Sequence, residues 1–152
     1  MIKIIRKKQG FTLIEIVLVV TIIGLLTALI SPELGRTVTR FELVTSAREL
    51  GGYIRYVQQR AINGESTNIT LLFNPVNNSY SLKKMTVVEK TINLPEGVSF
   101  FALPRQGYAV CFTIDGNPSN CSGTIVIQSR YSEKYYVKVL PATGKVVIST
   151  TK

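Results

Sequence analysis

Apolar positions follow three successive rhythms along this chain of 152 residues. From Phe11 to Ile30 they are nearly continuous: 15 of the 20 residues are apolar, and the one charge is Glu15. From Arg36 to Asn63, Val38, Phe41, Val44, Ala47, Leu50, Ile54, Val57 and Ala61 recur every three or four residues. That is the period of one face of an amphipathic helix. Beyond Gly64 the apolar runs shorten and alternate with turn residues, the texture of β-strands.

The first rhythm predicts a helix at 11–31. At about 1.5 Å per residue its 20-residue run spans roughly 30 Å, the thickness of a bilayer core. It is longer than the h-region of a cleaved secretory signal, and no small-residue cleavage site follows it. Gly24 and Pro32 interrupt the pattern; Pro32 removes a backbone donor and predicts a helix end or kink at the membrane surface. The second rhythm predicts an amphipathic continuation over 32–64. Arg40, Glu42, Arg48, Arg55, Gln58 and Arg60 stand between its apolar positions as a solvated face. Gly51-Gly52 predicts a bend or a close approach to a sheet, and Asn63-Gly64 a stop.

The third rhythm predicts strands at 68–73, 80–85, 86–92, 109–114, 124–128, 135–140 and 146–149. Asn74–Asn78, Leu94–Val98, Asp115–Pro118 and Pro141–Gly144 supply turns and bends. The expected class is α+β: a long N-terminal helix, its first half embedded in membrane, packed against an antiparallel sheet domain at 65–152.

Charge and composition narrow the function. The net charge is +9, but Lys3, Arg6, Lys7 and Lys8 all precede the apolar run. Without residues 1–10 the count is 14 basic against 9 acidic residues, or +5. Half of the basicity is therefore a topology signal that keeps the N-terminus cytoplasmic. The chain has no His, which disfavours a His-based triad or zinc site and leaves its Ser residues without an activating base. Asp115 is the only Asp and sits in a turn. No enzyme activity, cofactor or metal site is expected. Cys111 and Cys121 suit one disulfide in an oxidising compartment, closing a loop of about 11 residues that contributes roughly 2.5–3 kcal/mol.

Glu15 carries the sharpest signal, because a lone carboxylate at membrane depth is costly and needs a partner. Lys7-Lys8-Gln9-Gly10-Phe11-Thr12-Leu13-Ile14-Glu15 resembles the prepilin signal of type IV pilins and type II secretion pseudopilins. The resemblance implies cleavage by a prepilin peptidase between Gly10 and Phe11, then N-methylation of Phe11. It implies that Glu15 neutralises the Phe11 amine of a neighbouring subunit; pairing within one chain is the alternative. In a low-dielectric bilayer either attraction is far stronger than in water. It also implies that Gly24 to Pro32 loosens when subunits pack. The expected partners are other pilin subunits, the prepilin peptidase and inner-membrane lipid. The expected location is the inner (cytoplasmic) membrane, single-pass, and then an extracytoplasmic filament.

Further on, Leu94-Pro95-Glu96-Gly97-Val98, Phe112-Thr113-Ile114-Asp115-Gly116 and Thr143-Gly144-Lys145-Val146 resemble the minor pseudopilin subfamily called GspH or FimT. Some FimT-like minor pilins are associated with DNA through a Gly-Arg-x-Arg stretch. Here Gly144-Lys145-Val146-Val147 has one basic residue where that pattern has two. Arg130, Lys134, Lys138 and Lys145, interleaved with Tyr131, Tyr135 and Tyr136, are the candidate DNA contacts. A solvated sheet edge with protective lysines is the alternative.

Overall fold

The computed structural model describes residues 11–65, 69–104, 108–119 and 123–151, with backbone alone at 29–33 and 65. Its elements are α1 (Leu13–Arg60), a π-type turn (Ala61–Glu65), β1 (Ile69–Asn74), β2 (Ser79–Lys84), β3 (Val87–Asn93), β4 (Val98–Ala102), β5 (Ala109–Val110), β6 (Gly123–Ser129), β7 (Lys134–Val139) and β8 (Val146–Ser149). The class is α+β, as the rhythms predict. The chain divides into two units, Met1–Arg36 and Thr37–Lys152, and α1 contributes to both.

In the second unit α1 buries Leu43, Ala47, Leu50, Ile54 and Val57 completely, and Ala61 extends the stripe into the π-type turn. Gly64 ends the helical path in the left-handed region at φ 97°, a conformation that costs Gly little. The expected stop at Asn63-Gly64 is therefore where the chain turns. The upstream part of the expected apolar face is different. Val38 and Phe41 are 55% and 69% exposed, while Thr39 and Ser46 take the buried places beside Leu43. At about 100° per residue, Phe41 lies roughly 180° around the helix from Leu50. A three-or-four spacing rule lets the stripe drift onto the wrong side; the larger residues there face outward.

The strands form two four-stranded antiparallel sheets rather than one. Their orders are β3-β2-β1-β5 and β4-β6-β7-β8. One face of each meets the α1 stripe in a single core, with Ile69, Leu71, Phe73 and Tyr80 from the first sheet and Ile125, Ile127, Val137 and Val139 from the second. β4 begins at the last residue of the predicted bend and runs through a stretch for which the sequence predicts no element; it pairs with β6. Asn78 ties the sheets together: its side chain donates to Val98 O at 3.0 Å and accepts from Phe100 N at 3.2 Å. One Asn thus supplies both halves of a strand-like pair. Phe73 packs edge-on against Phe100, and Tyr53 of α1 against Tyr80.

The predicted strand at 109–114 pairs only over Ala109–Val110. Residues 111–119 fold back on themselves through Ser119 N to Cys111 O, Thr113 N to Asn117 O and Gly116 N to Thr113 O. The Asp115-Gly116 turn satisfies locally the groups that a sheet would otherwise have to satisfy. Gly51 has the close approach the sequence allows: a Cβ there would lie 2.7 Å from Ile148 Cδ1.

Candidate functional site

The first unit places Glu15, Gly24 and Pro32, the residues expected to act in assembly, on one helix. Thr12 caps it: Glu15 N donates to Thr12 O at 3.1 Å and lies 3.4 Å from Thr12 Oγ1. Thr12-Leu13-Ile14-Glu15 has the T-x-x-E sequence of a capping box, with Glu15 at the third helical position and the Thr12 side of the box in place. The sequence contained that signal, and the reading of Glu15 as an amine partner passed over it. A carboxylate also stabilises the positive end of the helix dipole. Phe11, Glu15, Ile16, Val19 and Val20 line one shallow groove of about 300 Å³.

Beyond the cap, Leu13, Ile14, Ile16 to Val20, Ile22, Ile23, Leu25 and Leu26 are all exposed. Two hydroxyls interrupt this surface, and both bond to the turn before them: Thr21 Oγ1 donates to Val17 O and Thr27 Oγ1 to Ile23 O, each at 2.7 Å. Such back-bonding leaves little unmet polarity on an apolar face. Gly24 has nothing within 4 Å of a built Cβ.

The backbone stays helical through Gly24 and Pro32, so of the two expected outcomes, a helix end or a kink, the end does not occur at Pro32. Its missing N–H nonetheless leaves the Ala28 carbonyl without its helical donor. Gly10 lies outside the described residues, as does the Pro32 side chain. Among the described residues no helix is long and apolar enough to cross a membrane. In sequence the apolar run continues past Ala28 to Ile30, where only backbone is described.

In the second unit the structure sorts the candidate DNA contacts. Val137 and Val139 of β7 face the core, so the alternate positions Lys134, Tyr136 and Lys138 share the opposite face. Lys134 Nζ sits 3.5 Å from the Phe101 ring centroid. Tyr135 is partly buried and packs against the core. Arg130 covers the backbone of Gly97, whose carbonyl accepts from Arg130 N at 2.8 Å. Lys145 is exposed and stands two residues before Val147, the register partner of Lys138.

Parts of the polar face of α1 hold the domain together rather than standing free in solvent. Gln58 Nε2 donates to Gly116 O at 2.8 Å, and Arg60 pairs with Glu89 at 2.5 Å. Gly144, at φ 64°, passes so close to Gly116 O and Phe112 that no side chain fits. Phe112-Gly116 and Thr143-Gly144, two of the three subfamily-like segments, are thus brought together at the C-terminal end of α1. Cys111 Sγ lies 3.3 Å from Ser119 O; Cys121 lies outside the described residues.

Comparison with known proteins bears on both units. Residues 5–31 match the model of the prokaryotic N-terminal methylation motif. The fold is similar to the type IV minor pilin FimU of Pseudomonas aeruginosa, with a TM-score of 0.59 and 13% identity over 72% of this chain and 90% of that one. It is also similar to the minor pseudopilin EpsH from the Type 2 Secretion System of Vibrio cholerae, with a TM-score of 0.52 and 14% identity over 71% of this chain and 96% of that one. At such identities the likeness is one of fold. No curated protein sequence matches the chain.

Proposed function

We propose that this chain, which joins a prokaryotic N-terminal methylation motif to the fold of minor pilins and pseudopilins, is a minor structural subunit of an extracytoplasmic filament. The observation that carries the reading is the first half of α1. From Leu13 to Leu26 its large apolar residues are exposed on all sides, and Glu15 is the one charge in that stretch. An apolar surface of that extent marks lipid or a protein partner. A filament subunit needs both, in sequence: inner-membrane lipid before assembly, and the helices of other subunits after it.

In this reading prepilin peptidase cleaves between Gly10 and Phe11, and Phe11 becomes the N-methylated terminus. Glu15, one turn away, pairs with the amine of a neighbouring subunit. Gly24 and Pro32 mark the stretch that loosens on packing, where the Ala28 carbonyl already lacks a helical donor. The chain would sit in the inner membrane with a cytoplasmic N-terminus and its sheets outside, where Cys111 and Cys121 oxidise to a disulfide. The role is structural, and the subfamily proposed is GspH or FimT.

A second reading has a specific observation behind it. Lys134, Tyr136 and Lys138 share one sheet face, with Phe101 beside Lys134. Lysines there would hold phosphates and the rings stack bases, making the subunit a DNA-binding one active in uptake. The two readings are compatible.

The deciding experiment is the intact mass and N-terminal sequence of the protein from native cells. A start at N-methylated Phe11 is expected, with the mass two hydrogens lower if the cysteines are bridged. An N-terminus at Met1, or beyond Ala28, would overturn the filament reading. Gly10→Arg should block processing outright, and normal cleavage of that variant would sink the assignment of the site.

A further inference from the structure

A cleft of about 610 Å³ opens between α1 and the β2–β3 edge of the first sheet. That volume is within the roughly 300–1,000 Å³ range of ligand pockets. Glu49, Gly52, Tyr53 and Tyr56 form its helix wall, and Leu82, Glu89 and Lys90 its sheet wall. It lies wholly within the second unit.

Three features indicate that the cleft is built. The first is a β-bulge. Leu82 pairs with Lys90 and Lys83 with Val88, so Glu89 is the extra residue in β3. Consecutive strand residues ordinarily face opposite sides. The bulge lets Glu89 and Lys90 both turn toward α1. There Glu89 pairs with Arg60, and Lys90 Nζ lies 5.3 Å from the Tyr53 ring centroid.

The second is Gly52. Glycine inside a helix is destabilising relative to Ala and usually has a packing reason. Gly51 has one in Ile148, but a Cβ on Gly52 would meet nothing within 4 Å. Among the described residues no neighbour requires its small size, and Gly52 lines the cleft.

The third is the seating of Tyr53. Tyr80, fully buried behind it, holds its ring in edge-to-face contact.

The chemistry of the walls selects the occupant. Glu49 and Glu89 are offset by Lys90 and Arg60, so the surroundings are charge-balanced and suit a neutral ligand. Tyr53 and Tyr56 bring apolar ring carbons beside hydrogen-bonding edges, with a cation already near each ring: Lys90 at Tyr53 and Arg60 at Tyr56. Glu49 needs donors, Lys90 needs acceptors, and each phenol takes either. A pyranose ring meets these demands together: its C–H face packs on the tyrosines while its hydroxyls both donate and accept. Pairing of an extended peptide with β3 is the poorer fit, because the bulge interrupts that edge. We propose that the cleft binds a neutral oligosaccharide chain, with Gly52 admitting it close to the helix. This holds whether or not the chain assembles into filaments.

The test is an amide chemical-shift titration of the full chain in zwitterionic micelles, which carry no sugar headgroup. The probes are cellohexaose, a plain glucan, and the N-acetylglucosamine hexamer, an analogue of cell-wall glycan. Saturable shifts centred on Gly52, Tyr53, Tyr56 and Lys90 are expected with at least one probe, and which one responds identifies the source. Gly52→Gln keeps a good helix former while filling the cleft; it should weaken binding by about tenfold or more with no loss of Tm. Tyr56→Ala should weaken it too. Absence of saturable shifts with both probes would overturn the proposal. So would unchanged affinity in Gly52→Gln, or shifts centred on Lys134 and Lys138 instead.

Discussion

α1 is two helices in one. Upstream of Ala28 its apolar residues are exposed and its polar side chains, Thr12, Thr21 and Thr27, bond to its own backbone. Downstream of Thr37 its apolar residues divide. One stripe is wholly buried beneath two sheets, while Val38 and Phe41 stay outside. The downstream half is stabilised by its own domain. Among the described residues the upstream half has no such cover, and an apolar surface of that extent calls for lipid or a partner. Helix stability and domain stability are therefore separable here, and substitutions should sort by half: upstream ones change assembly, downstream ones change folding.

The largest effect is expected at Glu15, which has two readings to tell apart. A capping box accepts Glu or Gln at its third position; pairing with an amine needs the charge. Glu15→Gln therefore keeps the cap and removes the ion pair. Normal cleavage with incorporation into filaments reduced by tenfold or more is the expected result, measured by immunoblot of sheared filaments. Thr12→Ala does the reverse, losing about 1 kcal/mol of helix capping while keeping the charge, and should assemble nearly normally. If Glu15→Gln assembles and Thr12→Ala does not, Glu15 is a capping residue.

The next effect tests the downstream division. Leu50→Ala removes a fully buried side chain and should cost about 2–5 kcal/mol, lowering Tm by roughly 10 °C or more. Phe41→Ala removes a larger side chain that is 69% exposed, and should change stability by no more than about 0.5 kcal/mol. Thermal melts followed by circular dichroism compare the two directly. Equal losses would mean that the sequence spacing, which assigned Phe41 to the core face, had placed it correctly.

That misplacement shows how far the sequence could be read. The order of elements, the stop at Gly64 and the N-terminal motif were legible because each rests on local chemistry: periodicity, a turn residue, a processing signal. What was not legible depends on partners distant in sequence. β4 pairs with β6 past β5; Val98, Phe100 and Phe101 favour strands, but the run is short and begins at a turn, so only its distant partner marks it as part of a sheet. The turn joining β2 to β3 puts Met85 in the left-handed region at φ 55°, where a Gly or Asn would have announced it. The bulge at Glu89 looks in sequence like an ordinary strand residue. For the candidate site, Glu15 was found through its charge, and its cap was missed although T-x-x-E was in plain view. The shared face of Lys134 and Lys138 follows from strand parity alone, but the packing of Tyr135 against the core required the second sheet.

The smallest effect compares two glycines, one from each half. Gly24 and Gly52 both leave open space around a built Cβ, so alanine fits at either and gains about 1 kcal/mol of helix propensity. At Gly52 the domain already holds the helix, and the gain should appear as a rise in Tm of roughly 4 °C with assembly unchanged. At Gly24 no domain contact registers the gain, so Tm should not move. If this stretch must loosen when subunits pack, the same stiffening opposes assembly there, and Gly24→Ala should lower filament yield several-fold with cleavage intact. Undiminished yield from Gly24→Ala would mean that the helix does not need to yield at Gly24. Loosening would then be confined to the Ala28 carbonyl, where Pro32 has already removed the donor.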